Sequence, residues 1–286
     1  RPIKIENNKL AVSGNTANAR VQASVLDLYD SNRVAGPKKD GEDISWTDFN
    51  SEVIQKLKDS DKDIVLLTQT FASPSTSKLI SEFAEKYTNV RHIVYDAISE
   101  STAIEAFQNK YGERGLANYD FSKASIIVSV GADFLGDWQG GGFDTGYAKG
   151  RVPKHGKMSR HIQFESNMSL TGANADTRVP VTPSQQKIVL GKLYGKIVGS
   201  AVSGELPAHL EEAVNKTASE LLKAGSNGVL VTGIQDINAQ TVVIAINEKL
   251  ASKAFDAKTT IKTRLGDDKA VTQLIADMKA GKVGAI

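Results

Sequence analysis

The sequence predicts an α/β protein built on parallel sheets. Two observations carry that. Short apolar runs such as 64–67 and 124–130 alternate with amphipathic stretches of about 10–15 residues, the alternation of a parallel sheet with crossover helices. The clearest strand is ASIIVSV at 124–130, and a glycine loop follows it.

Each element follows from local pattern. Residues 1–45 have weak periodicity and read as extended linker, with a short helix at 21–28. Thr47 is the expected N-cap of a helix in which Phe49, Val53 and Leu57 recur every four residues. Residues 63–68 form a strand, Ser73-Pro74-Ser75 opens a helix, 90–95 a strand and 101–111 a helix. After the 124–130 strand come a glycine loop, short strands at 161–164 and 179–181, and a helix at 185–198. Residues 199–207 read as a linker, 229–232 as a strand, and 238–251 and 267–280 as helices. The closing residues 282–286 read as the start of another strand, so the chain is expected to be part of a longer protein.

Composition excludes several functions. Of 286 residues, 40% are hydrophobic and 24% charged, with a net charge of +2. The charges are mixed, which argues against a nucleic-acid surface. No apolar run reaches the roughly 18–20 residues needed to span a bilayer. With no cysteine, disulfides, zinc–thiolate sites and cysteine-ligated iron–sulfur clusters are excluded from this sequence. The four histidines, His92, His155, His161 and His209, lack metal-site spacing, and no GxSxG elbow supports serine catalysis.

Three places could meet a ligand. The loop from Gly131 through Asp133 to Gly142 follows a strand and could let backbone approach a phosphate, although Asp133 would repel one; it reads equally as a structural loop. Glu165 and Asp176 could accept hydrogen bonds from a ribose or a guanine, or serve as turn and cap residues. The GVLVTG strand at 228–233, with Gln235 and Asn238, runs into a loop and helix, which is also ordinary packing. Trp138 beside the glycines reads as core or as a groove cover.

The run FESNMSLTGANADTRVPVTP at 164–183, with RPIKIE at 1–6, LYDSNR at 28–33, ISW at 44–46, ASIIVSVGAD at 124–133 and GVLVTG at 228–233, resembles the molybdopterin oxidoreductase family in order over nearly the whole chain. That resemblance implies two interleaved Rossmann-like lobes: a linker at 1–47, one lobe from 48–118 plus 219–286 truncated at its end, and an inserted lobe at 119–218. It also implies molybdopterin guanine dinucleotide between lobes, which would place Gly131, Asp133, Glu165 and Asp176 at the cofactor. The departures are specific. Gly131-Ala132-Asp133 stands where the family has Gly-x-Asn, and Glu165-Ser166-Asn167-Met168 where it has Asp-Pro-Arg-Arg. Each charge-assisted bond lost with those arginines is worth about 1.5–3 kcal/mol. Residues 14–20, where the family often places its metal ligand, offer only Asn and Thr. Arg151, Lys154, Lys157 and Arg160 are the basic residues that could replace the missing cations.

The combination of GADFLGDW at 131–138 with SRHIQFESNMSLTGANADTRVPVTPSQQ at 159–186 is most similar to the cofactor-free, molybdopterin-like domain of the large iron–sulfur subunit of quinol-oxidising alternative complex III. The implied role is a scaffold without catalytic residues, partnered by other respiratory subunits and by a downstream ferredoxin-like domain that carries the iron–sulfur clusters. The implied location is the periplasmic face of a bacterial membrane. The alternative is a true molybdenum or tungsten bis-pterin enzyme, with this chain supplying half of its cleft. A generic nucleotide-binding module is a third reading.

Overall fold

The computed structural model describes residues 2–8, 10, 17, 19–153, 156–199 and 203–286. Arg1, Gly14, Lys154 and His155, considered above, lie outside the described residues. In chain order the regular elements are α1 (Ala19–Ala23), β1 (Lys38–Lys39), β2 (Glu42–Asp43), α2 (Trp46–Asp59), β3 (Asp63–Thr68), α3 (Pro74–Lys86), β4 (Val90–Val94), α4 (Ser101–Tyr111) and β5 (Leu116–Tyr119). They continue with β6 (Ile126–Val130), α5 (Asp144–Gly150), β7 (Arg160–Glu165), α6 (Leu170–Ala173), β8 (Thr177–Pro180), α7 (Pro183–Val198) and α8 (Ala208–Ala224). The last are β9 (Gly228–Thr232), α9 (Ile237–Leu250), β10 (Phe255–Ile261), α10 (Asp268–Lys279) and β11 (Val283–Ala285). The chain forms two compact units.

The first unit comprises Arg1–Lys4, Ala23–Ser99 and Leu265–Ile286. Its parallel sheet has the order β11-β3-β4. The core is small: Val65, Ile93 and Leu274, with Ala270, Val271 and Val283 packed against it. Helix α2 is capped by Ser45, whose side chain accepts from the Asp48 N–H, two residues before the expected Thr47. Ser73 caps α3 with Pro74 just inside, as the sequence predicts. Asp96 ties two loops together: its carboxylate accepts from Thr70 N and Oγ1 and from the Leu265 and Gly266 N–H groups. Those bonds outweigh its burial and hold it below the ordinary carboxylate range.

The second unit comprises Ile5–Gln22 and Glu100–Arg264. Its main sheet, all parallel, has the order β8-β7-β6-β9. β6 and β9 are buried along their whole length. Strand alternation divides their side chains between two cores. Ile126, Val128, Val130 and Leu230 face a cluster built from α7, α8 and α9, including Leu193, Val214, Leu221 and Ile246. Ile127, Val229 and Val231 face an aromatic cluster holding Phe107, Tyr119, Phe121, Phe134, Trp138 and Phe143. Each large side chain so buried contributes about 1.5–3 kcal/mol. Thr182 and Gln185 form a reciprocal capping box on α7, with Pro183 in its first turn.

Five elements in this unit are not predicted from the sequence: α5, α6, α8, and β5 and β10, which pair antiparallel. The 199–207 segment joins α7 to α8, and within it Leu206 is buried against the core. Among the described residues, no helix is long and apolar enough to cross a membrane.

Candidate functional site

In the four-stranded sheet the chain runs from β6 to β7 and β8 on one side, then crosses back from β8 to β9 on the other side of β6, so the strand order reverses between β6 and β9. Ligands of open α/β sheets bind outside the strand carboxyl ends at such a switch point. Three loops meet that edge: 131–143 after β6, 166–169 after β7 and 233–236 after β9.

The crevice between β6 and β9 is closed by its own backbone. Gly233 N and Thr232 Oγ1 both donate to the Val130 carbonyl, at 3.1 and 2.8 Å. Trp138 Nε1 donates to the Thr232 carbonyl at 3.0 Å, with its ring in the aromatic core beside Tyr119 and Phe143. A Cβ on Gly233 would lie 2.2 Å from the Gly131 carbonyl oxygen. A Cβ on Gly131, where φ is +73°, would meet the Gln186 side chain at 2.8 Å. Only glycine allows the two loops to approach this closely.

The carboxylates at this end are taken by neighbouring donors. Asp133 Oδ1 accepts from Thr171 N and Oγ1 at 2.9 and 2.7 Å. Glu165 is 3% exposed; it accepts from Arg178 Nε at 2.6 Å, Ser169 Oγ at 2.7 Å and Gln163 Nε2 at 3.2 Å. Burial pushes its pKa up, but the bonds from Ser169, Arg178 and Gln163 outweigh that and hold it below the ordinary range. Gly131, Asp133 and Glu165 therefore gather at the carboxyl ends, where Glu165 grips Ser169 and Asp133 grips Thr171.

Asp176 is not among them. It precedes β8, accepts from His161 N at 2.7 Å, and pairs with both terminal nitrogens of Arg151 at 2.7 and 2.8 Å. That places it near the amino end of β7. The Arg151 hydrogen bonds hold it below its usual pKa despite burial. Arg160, the first residue of β7, pairs with Glu220 at 2.7 Å. Lys157 lines a pocket beside Ser159, just before β7. Of the basic residues considered as replacement cations, these three sit at the amino-terminal end of the sheet.

A buried polar chain connects the two ends along β7. His161, Gln163 and Glu165 point to one face, as alternate residues must. Tyr147 Oη lies 3.2 Å from His161 Nδ1 and 3.0 Å from the Asn174 carbonyl. His161 Nε2 lies 3.2 Å from Gln163 Oε1. Gln163 Nε2 donates to the Ala132 carbonyl and to Glu165. Since both Nε2 hydrogens of Gln163 have acceptors, its Oε1 must receive the His161 Nε2–H. Burial lowers the His161 pKa to about 4, so the ring is neutral at neutral pH with its proton on Nε2, and Nδ1 and the Asn174 carbonyl share the single Tyr147 hydroxyl hydrogen.

Glu100 and Gln139 were not foreseen. Gln139 begins a run of four positive-φ residues, 139–142, at +52°, +89°, +79° and +100°. Glu100, 4% exposed, accepts from Gln139 N at 3.3 Å and Gln235 Nε2 at 3.2 Å, and burial raises its pKa. The Gln139 side-chain oxygen is buried without a hydrogen-bond partner. No local pattern marks either residue, because their partners lie 39 and 135 positions away.

A pterin dinucleotide needs free cations against its pyrophosphate. Around this edge Arg178 is held by Glu165, Lys187 by Asp236 at 2.7 Å, and Arg20 by Asp137 at 3.1 Å. The residues present do not fit that group. Among the described residues no cluster of three His, Cys, Asp or Glu could hold a metal.

No family model matches the chain. No curated protein matches it. Among solved structures it is similar to acetylene hydratase from Pelobacter acetylenicus, with TM-score 0.55 and 13% identity over 88% of this chain and 41% of that one. It is also similar to a chain of the formyltransferase/hydrolase complex (FhcABCD) from Methylorubrum extorquens in complex with methylofuran, with TM-score 0.52 and 16% identity over 74% of this chain and 56% of that one. The chain thus spans 41% and 56% of the lengths of these two, and at such identities what it shares with them is the α/β fold.

Proposed function

We propose that this chain is a molybdopterin-oxidoreductase-like scaffold domain that does not itself hold the dinucleotide, and that it serves a quinol-oxidising respiratory complex at the periplasmic face of a membrane. The fold likeness to acetylene hydratase supports the fold in that reading. The combination GADFLGDW at 131–138 with SRHIQFESNMSLTGANADTRVPVTPSQQ at 159–186 supports the respiratory assignment.

One observation carries the scaffold reading: the switch-point crevice is filled by the protein's own atoms. Gly131 and Gly233 are in backbone contact, Trp138 seals the β9 end, Arg178 neutralises Glu165, and Thr171 takes up Asp133. A ligand there would have to break several of these bonds. In this role the domain docks partner subunits and a cluster-bearing domain, while electrons pass elsewhere.

The test is elemental analysis of the native full-length protein, with molybdenum and tungsten by mass spectrometry and pterin by fluorescence after extraction. Iron and sulfide without molybdenum, tungsten or pterin is the expected result. Near-stoichiometric metal and pterin would instead make the chain half of a catalytic cleft. The unpartnered Gln139 oxygen in its left-handed loop is the feature that favours this second outcome.

A further inference from the structure

At the amino-terminal end of the same sheet, opposite the switch-point crevice, lies a pocket of about 340 Å³. Its floor is formed where strands begin: Ser125 precedes β6, Ser159 precedes β7 and Asn227 precedes β9. Lys123, Lys149 and Lys157 line it, and among the described residues no carboxylate does. Lys123 is partly neutralised by Asp120 at 3.4 Å. Lys149 and Lys157 have no ion-pair partner among the described residues.

Ser159 supplies an independent observation. It is 5% exposed, and its hydroxyl oxygen has no hydrogen-bond partner among the described residues. A buried hydroxyl left unmatched is costly, and such groups in a folded protein call for an explanation. The hydrogens of the neighbouring polar groups point elsewhere: Ser122 Oγ donates to Asp120, Ser125 Oγ to the Asn227 carbonyl, and Ser159 N to the Gly150 carbonyl. The hydroxyl hydrogen can turn toward any acceptor offered.

We propose that this pocket binds a phosphate monoester, with Lys149 and Lys157 supplying charge and Ser159 a hydrogen bond. A phosphate monoester carries nearly two negative charges at neutral pH and three acceptor oxygens. Two ammonium groups and one hydroxyl match that inventory. The volume leaves room for a small organic group beyond the phosphate, since ligand pockets run from about 300 Å³ upward. The phosphate can belong to a soluble ester or to a lipid headgroup. The site is independent of the scaffold reading, since it uses none of the residues at the opposite edge.

The test is titration calorimetry on the intact protein at low ionic strength with inorganic phosphate and with phenyl phosphate. Cosedimentation with phosphatidylcholine vesicles containing one-tenth phosphatidic acid is run alongside. Saturable binding is expected, weakened about ten-fold or more in the Lys149→Gln/Lys157→Gln double variant and unchanged in Lys249→Gln, which removes an exposed lysine elsewhere. Ser159→Ala should weaken binding several-fold without lowering thermal stability, since it removes a hydroxyl that has no partner in the unliganded fold. Binding of phenyl phosphate assigns a soluble ester; binding of vesicles alone assigns a lipid headgroup. No binding to any probe, or equal losses in Lys249→Gln and the double variant, would overturn the proposal.

Discussion

Arg178 Nε donates to Glu165 Oε1 at 2.6 Å, joining β8 to the end of β7. The two side chains are 26% and 5% exposed. Glu165 stands where the family it resembles carries an acid followed by cations, and here its cation arrives from the next strand. This pair converts what would be a ligand-facing acid into an internal tie.

Removing that cation leaves a buried carboxylate short of one strong donor. Arg178→Met should therefore cost about 2–4 kcal/mol in urea unfolding, with Arg178→Met/Glu165→Gln recovering a large part of the loss. The sign with pH also follows. Glu165 has a folded pKa below 4.5, so its contribution is present above that value and is lost as pH falls through the folded pKa. In Arg178→Met that acid-limb loss should shrink.

His161 makes a second, separable pH prediction. Its pKa falls from 6.5 to about 4 in the folded state, because burial disfavours the charged ring. Between those values the unfolded chain binds the proton and the folded chain does not. Stability should be full above pH 6.5 and decline toward pH 4, by about 3 kcal/mol at most. His161→Gln should flatten unfolding free energy across that window while leaving the lower-pH carboxylate limb. Tyr147→Phe removes the hydroxyl that bonds the Asn174 carbonyl and meets Nδ1, and should cost about 1–2 kcal/mol at neutral pH.

The closed crevice can be tested at Gly233. Its φ is not left-handed, so the only obstacle to a side chain is space: a Cβ would sit 2.2 Å from the Gly131 carbonyl oxygen and 3.0 Å from Ala132 Cα. Neither neighbour is a flexible side-chain end. Gly233→Ala should therefore destabilise by about 2 kcal/mol or more. The readout is the urea midpoint, compared with Gly36→Ala, where a Cβ meets nothing within 4 Å.

Much of the fold was legible because strands buried on both faces announce themselves as continuous apolar runs. β6 and β9 do so, and Ser73-Pro74 marks the start of α3. Helix α8 also carries a readable stripe, Leu210, Val214, Ala218 and Leu221, which the sequence reading passed over. β5 and β10 carried weaker signals: β10 has the exposed Lys258 and Thr259 in its middle, and its pairing with β5 contains an irregularity. The candidate site was half legible. Acids and glycines at strand ends could be named, but Arg178, Thr171 and Glu100 acquire roles only through partners 13, 38 and 39 positions away.

Gln139 gives the last prediction. Its backbone is left-handed at φ +52°, and its side-chain oxygen is buried without a partner. Two hydrogen bonds hold it there: its N–H to Glu100 at 3.3 Å, and its carbonyl from Thr263 Oγ1 at 2.6 Å. Both use backbone atoms, so a side-chain change leaves them in place. Gln139→Met keeps the length of the side chain and removes the unmatched carbonyl oxygen. If the loop is purely structural, this variant should gain about 1 kcal/mol, read as a rise in the thermal midpoint. A loss of similar size would mean that the oxygen accepts from a bound molecule in the native protein. The switch-point edge would then be a working site, and the scaffold reading would have to yield to the cleft.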